Sequence, residues 1–366
     1  MSGGATSRVP QLDALTGIRG IAAWFVVLFH MRLSLKALLP HAAIAVLGKG
    51  YLAVDVFFML SGFVMWLNYG ERIAERGLTE APRFWWKRFA RVWPLHAAVL
   101  GGLALFAAVL LATGRDASHY PFAELPLQLL LVQNWGFTRA LAWNDPAWSI
   151  STELAAYIVF PFAVIGLPWQ RLRPPALLAC AALLCAALFV LFAAFGKTSL
   201  GADVPRFGLW RCLAEFALGM VLCRLWQELC GTRGAAFLAG IGGAAWFAVG
   251  LLAGLPAIAF VPAGFAALLL ALALDRGPLA RVLGSKPLRA LGDASYATYL
   301  IHYPLLTLYK LGFIDQSVQF GWVDVAAFLA AVFAASLLIY RWFEKPVQRW
   351  LHVHPPGRPL QVSPAP

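Results

Sequence analysis

Acidic side chains are scarce in this chain. Only 17 Asp and Glu stand beside 29 Lys and Arg in 366 residues, and the four types together make up 13%, about half of the roughly 25% usual in soluble domains. With 61% hydrophobic residues and a mean hydropathy of +0.73, that poverty of charge excludes a soluble enzyme. No polar stretch is long enough for a separate soluble module, so one polytopic domain is expected over 1–351, followed by a Pro-rich, disordered tail over 352–366. The five cysteines (Cys180, Cys185, Cys212, Cys223, Cys230) form no CxxC or metal-like spacing and read as small apolar packing residues. The seven histidines form no HxxxH box, which counts against a membrane metal oxidase. Near the start, Met1–Gln11 has Arg8 as its one clear basic residue and no small-residue cleavage site follows, so the first apolar run is expected to remain as a helix. Neither an internal repeat nor the inverted-half symmetry of many transporters is visible.

What is present is a series of apolar runs near the roughly 20 residues that cross a bilayer. The fold class they predict is an all-α polytopic integral membrane protein with about ten transmembrane helices. The segments fall at roughly 16–36, 51–69, 93–113, 147–167, 176–196, 206–226, 235–254, 256–274, 291–311 and 322–342. The net charge of +12 does not indicate nucleic acid, because the cations sit in short connections rather than on one amphipathic face. Alternate connections hold Arg72, Arg76, Arg83, Lys87, Arg88 and Arg91, then Arg171 and Arg173, then Arg224 and Arg233, then Arg276, Arg281, Lys286 and Arg289, and finally Lys345, Arg349 and Arg358 in the tail. The positive-inside rule then puts both termini in the cytoplasm. In the long connection 114–146, the apolar stretch 125–135 is too short to span and is expected in the interface.

Ionisable residues inside apolar segments usually face a bundle interior or a wet cavity. Counting residues along each helix places His30, Asp55, Glu153 and His302 in one outer-to-middle slab, so they are expected to converge on one cavity. Arg211 and Glu215, four apart, form either an intrahelical ion pair or a gating or substrate contact. On the opposite side lies RFWWKRFARVWP, in which Arg88 and Arg91 share a face if the segment is helical. Guanidinium groups so placed can grip phosphates, with tryptophans available to stack on a base. Acyl-CoA fits such a site, since its long arm could carry a thioester inward to His30. A transporter or flippase for a lipid-linked saccharide would also use a polar slab, but it gives the aromatic and basic segment no task.

The same residues carry a resemblance. LDALTGIRGIAAWFVVLFH, YLAVDVFFMLSGFVMW, the RxxR of Arg88–Arg91, AWSISTE ending in Glu153, RCLAEFALGM, SYATYLIHYP and FEKPVQRWL occur in order over 11–351 and resemble the acyltransferase 3 family of integral-membrane acyltransferases. Ala53, where a glycine is common, and Thr152, Leu154 and Ala155 around the glutamate depart from the pattern. The resemblance implies transfer of an acyl group, most often acetyl from acetyl-CoA, to a carbohydrate hydroxyl in a bacterial inner membrane. The narrowest expectation is an exopolysaccharide O-acetyltransferase of the xanthan type. The partners so implied are acyl-CoA as donor co-substrate, a carbohydrate or lipid-linked oligosaccharide acceptor, and membrane lipids. In these terms His30 is base or acyl carrier, oriented by Asp55 or Glu153. Arg88 and Arg91 hold the donor phosphates, while His302, Tyr296, Arg211 and Glu215 contact substrate.

Overall fold

The computed structural model describes residues 12–314 and 318–355, and every regular element among them is helical. Most of the Pro-rich tail lies outside the described residues. Ten longer helices follow one another: α1 (Asp13–Met31), α2 (Ala53–Met65), α3 (Ala81–Ala112), α4 (Ala147–Gly166), α5 (Pro174–Ala194), α6 (Val204–Leu229), α7 (Ala235–Leu252), α8 (Ala257–Leu274), α9 (Ser295–Phe313) and α10 (Trp322–Ile339). Seven helical stretches among the described residues are long and apolar enough to cross a membrane, so the chain is a multi-pass membrane protein. The α6 and α9 helices fall outside that set. Their sequences carry buried polar residues, Arg211 and Glu215 on α6 and Thr298 and His302 on α9.

Three details differ from the sequence reading. The α3 helix starts at Ala81, not near 93, and continues through Pro94, although proline removes one ladder hydrogen bond. RFWWKRFARVW is therefore helical, and Arg88 and Arg91 do share a face. The α2 and α10 helices each run on into a π-helical turn, Trp66–Gly70 and Tyr340–Glu344, an element common at functional sites. The third difference is the connection 114–146, which folds into the bundle. Its short helix Leu125–Leu130 is held by His96 Nε2, which donates to the Gln128 carbonyl at 2.8 Å, and by Trp93 Nε1 on the Leu129 carbonyl at 3.0 Å. Gln128, Gln133, Asn134 and Asn144 are buried there. Buried irregular backbone requires such satisfaction by protein.

At the centre α2 crosses α6. Gly62 and Gly219 make the crossing close, because a Cβ on Gly62 would overlap the Phe216 carbonyl and one on Gly219 the Met59 carbonyl. Phe58, Met59, Phe63, Phe216 and Met220 fill the space around them. Between α7 and α8 the chain turns through Gly254 at φ +62, a conformation glycine adopts without Cβ strain.

Candidate active site

The polar residues line two cavities. The larger, of about 730 Å³, is formed near the C-terminal ends of α1 and α9 and the N-terminal ends of α2, α4 and α6; its lining includes His30, Arg32, Tyr51, Asp145, Arg211, Tyr303 and Lys310. The smaller, of about 150 Å³, lies toward the other end of α1 and α9 and is lined by Arg19, Ser61, Arg88, Arg91, Glu153, Tyr157 and Tyr296 among others. Tyr299 lines both. Its hydroxyl lies 2.7 Å from Ser149 Oγ and 3.1 Å from the Pro146 carbonyl, which makes it the partition between them.

At the wall of the larger cavity His30 meets the fully buried His302. The Nδ1 atom of His30 stands 3.0 Å from His302 Nε2 and 3.0 Å from the Val26 carbonyl, while His302 Nδ1 stands 3.1 Å from the Thr298 carbonyl. Carbonyl oxygens only accept, so His302 carries its proton on Nδ1. A neutral His302 then presents a bare Nε2, which accepts from His30 Nδ1–H. That arrangement leaves His30 Nε2 unprotonated. Helix periodicity builds the contact: His302 follows Thr298 by four residues, as His30 follows Val26, so each ring folds back on its own carbonyl.

Among the described residues no carboxylate forms a hydrogen bond or ion pair with His30, and neither Asp55 nor Glu153 orients it. Asp55 is fully buried and bound bidentately by Arg211, Nε to Oδ1 at 2.8 Å and Nη2 to Oδ2 at 2.6 Å. Arg211 also donates to the Leu200 carbonyl at 3.0 Å and the Tyr51 carbonyl at 3.4 Å, so it ties α2 to α6 at the cavity wall. Glu215, also buried, stands 3.8 Å from Arg211 Nε and is the lesser partner, and neither of its oxygens has a hydrogen-bond donor among the described residues. Glu153 lies in the smaller cavity, where Tyr157 donates to it at 2.6 Å and Ser61 Oγ lies 3.1 Å from the same tyrosine hydroxyl. The single convergent cavity is thus corrected to two: equal depth does not fix which way a side chain points around its helix.

Arg88 and Arg91 are held by the two π-helical turns. Arg88 Nη2 donates to the Tyr69 hydroxyl at 3.2 Å, and Arg91 Nη1 pairs with Glu344. The Arg91 guanidinium carbon also lies 5.6 Å from the centre of the Tyr296 ring. Tyr296 itself donates to the Val92 carbonyl at 2.6 Å and lies away from the paired histidines. Arg19 completes the basic wall, its Nη2 donating to Ser295 Oγ at 3.0 Å. At the end of α1, Asp13 pairs with Arg289 at 2.8 Å.

The sequence profile of the family described as the acyltransferase domain, that of the acyltransferase 3 family, matches residues 12–341. The chain belongs to this family. Acyltransferase MdmB of Streptomyces mycarofaciens is 30% identical over 388 residues, covering 98% of this chain and 96% of its own. Protein 2 in the picA locus of Rhizobium radiobacter is 34% identical over 160 residues, 40% of this chain and 78% of that one. O-acetyltransferase OatA of Staphylococcus aureus is 23% identical over 380 residues, 92% of this chain but 57% of its own length. No solved structure gives a significant match. The chain is therefore a membrane O-acyltransferase.

Several residues in this acyltransferase escaped the sequence reading. Tyr299 precedes His302 by three positions in SYATYLIHYP, and Tyr303, its ring centre 5.3 Å from that of His30, directly follows it. Tyr157 follows Glu153 by four, one helical turn. Asp145, on the loop just before α4, carried no periodic signal. Its Oδ1 lies 3.2 Å from His119 Nε2, and this carboxylate contact raises the imidazole above its ordinary pKa.

Proposed function

We propose that this acyltransferase moves an acyl group, acetyl by preference, from acyl-CoA to a hydroxyl of a carbohydrate, an exopolysaccharide or other surface-glycan precursor, free or lipid-linked. The observation that carries the reading is the bare Nε2 of His30 at the wall of a cavity large enough for a sugar, with a chamber of three arginines on the far side of Tyr299. The transporter alternative gives way to the family match.

In the proposed reaction His30 Nε2 takes the proton of the acceptor hydroxyl as its oxygen attacks the thioester carbonyl. The C–S bond then breaks, the ester forms, and the departing CoA thiolate takes up the proton. His302 positions the imidazole and supports its charge through Nε2. Arg88 and Arg91 hold donor phosphates, and the pantetheine arm passes Tyr299. The Asp55–Arg211 pair sets the cavity wall, with Glu215 behind it. Glu153, through Tyr157, shapes the donor chamber beside Tyr296. The proposed topology has ten crossings of a bacterial inner membrane with both termini cytoplasmic, which turns the arginine chamber to the cytosol and the His30 cavity outward.

Hydrogen bonds to charged groups contribute roughly 1.5–3 kcal/mol, so Arg88→Ala is expected to raise the KM for acetyl-CoA about tenfold or more. Initial rates against acetyl-CoA concentration check this, and an unchanged donor dependence places the phosphates elsewhere. Mass spectrometry of surface polysaccharides from cells with and without the chain tests the function itself. Loss of O-acetyl groups is the expected result, and identical acylation would refute it.

A further inference from the structure

The charges around the His30 cavity do not balance. Its lining contains three cations, Arg32, Arg211 and Lys310, and a single carboxylate, Asp145. Arg211 is already neutralised by Asp55, and Asp145 already faces His119. Arg32 donates to the Phe29 carbonyl, and its guanidinium carbon lies 3.9 Å from the centre of the Phe29 ring. Neither Arg32 nor Lys310 has a carboxylate partner among the described residues. A cleft with an excess of one sign of charge concentrates ligands of the other.

Their placement is also directional. Tyr299, Tyr303, Thr307 and Lys310 follow one stripe of α9, and all four line the cavity. Lys310 lies two turns beyond Tyr303, about 10 Å along the axis, and Tyr303 is the residue against the His30 ring. Arg32 follows His30 by two residues where α1 ends. Both cations, without a carboxylate partner among the described residues, thus stand beyond the reacting nitrogen toward the C-terminal ends of α1 and α9.

We propose that the acceptor is an anion, a glycan bearing a phosphate or a carboxylate that binds between Arg32 and Lys310 while its reacting hydroxyl meets His30. The assignment of that hydroxyl rests on the function proposed above; the anion site does not. Guanidinium and ammonium groups recognise both anions by charge-assisted hydrogen bonds.

Equilibrium binding to the purified full chain without acyl-CoA tests it, with 4-nitrophenyl glucoside, 4-nitrophenyl glucuronide and glucose 1-phosphate as probes. At least one anionic probe is expected to bind about tenfold more tightly than the glucoside, and the tighter of the two identifies the anion. The preference should collapse in Lys310→Gln and Arg32→Gln, return in Lys310→Arg, and survive in Arg88→Ala. Equal binding of neutral and charged probes, no binding of any, or a preference lost only with Arg88 overturns the proposal. A chain that shows this preference yet transfers no acyl group would refute the proposed function alone.

Discussion

Exchanging His30 for glutamine lowers acyl transfer by roughly 10²–10⁴-fold, the usual contribution of a positioned general base. Glutamine keeps a polar group of similar reach, so the protein should accumulate normally and the loss should appear in kcat. The neighbouring contacts explain why this residue stands apart. The Val26 carbonyl and His302 both address Nδ1, which leaves Nε2 as the unprotonated atom for the acceptor. Replacing His302 by glutamine removes a positioning partner and not the base, so a smaller loss is expected there. Near-normal transfer by the His30→Gln protein, measured with labelled acetyl-CoA, would sink the assignment.

Arg211→Met is expected to destabilise the fold by roughly 3–5 kcal/mol, because it leaves the fully buried Asp55 carboxylate without its cation. The midpoint of thermal unfolding in detergent should fall, and less protein should reach the membrane. The double variant Asp55→Leu with Arg211→Met removes both charges and supplies apolar volume, and it should recover much of the loss. Equal losses in the single and double variants would mean that the stranded Asp55 carboxylate is not the cause of the destabilisation. Arg211 makes four hydrogen bonds at the cavity wall, two to Asp55 and one each to the Leu200 and Tyr51 carbonyls.

Much of this arrangement was legible from periodicity and apolar length. The helical class, the shared face of Arg88 and Arg91 and the inward burial of Asp55, Arg211 and His302 all follow from where polar residues interrupt apolar runs. The partners of those residues did not follow. Asp55 and Arg211 lie 156 positions apart, and His30 and His302 lie 272 apart. Residue counting gives depth along a helix, whereas the contact depends on how each helix is turned about its axis, which tertiary packing decides. For the same reason Glu153 and His30, similar in depth, face different cavities on either side of Tyr299. The inward fold of 114–146 was hidden because its buried side chains, Gln128, Gln133, Asn134 and Asn144, are polar, and the stretch 125–135 that holds three of them reads as interfacial. The side-chain amides of Asn134 and Asn144 donate to atoms distant in sequence, the Val204 and Leu300 carbonyls.

The most direct measurement follows the label from acetyl-CoA, radioactive in its acetyl group, incubated with the purified full chain and oligosaccharide from surface-glycan precursors. The account predicts that label appears as an ester on sugar hydroxyls, that free CoA is released in equal amount, and that both vanish in the His30→Gln protein. Label that stays on CoA, or reaches the sugar equally fast without His30, would contradict it.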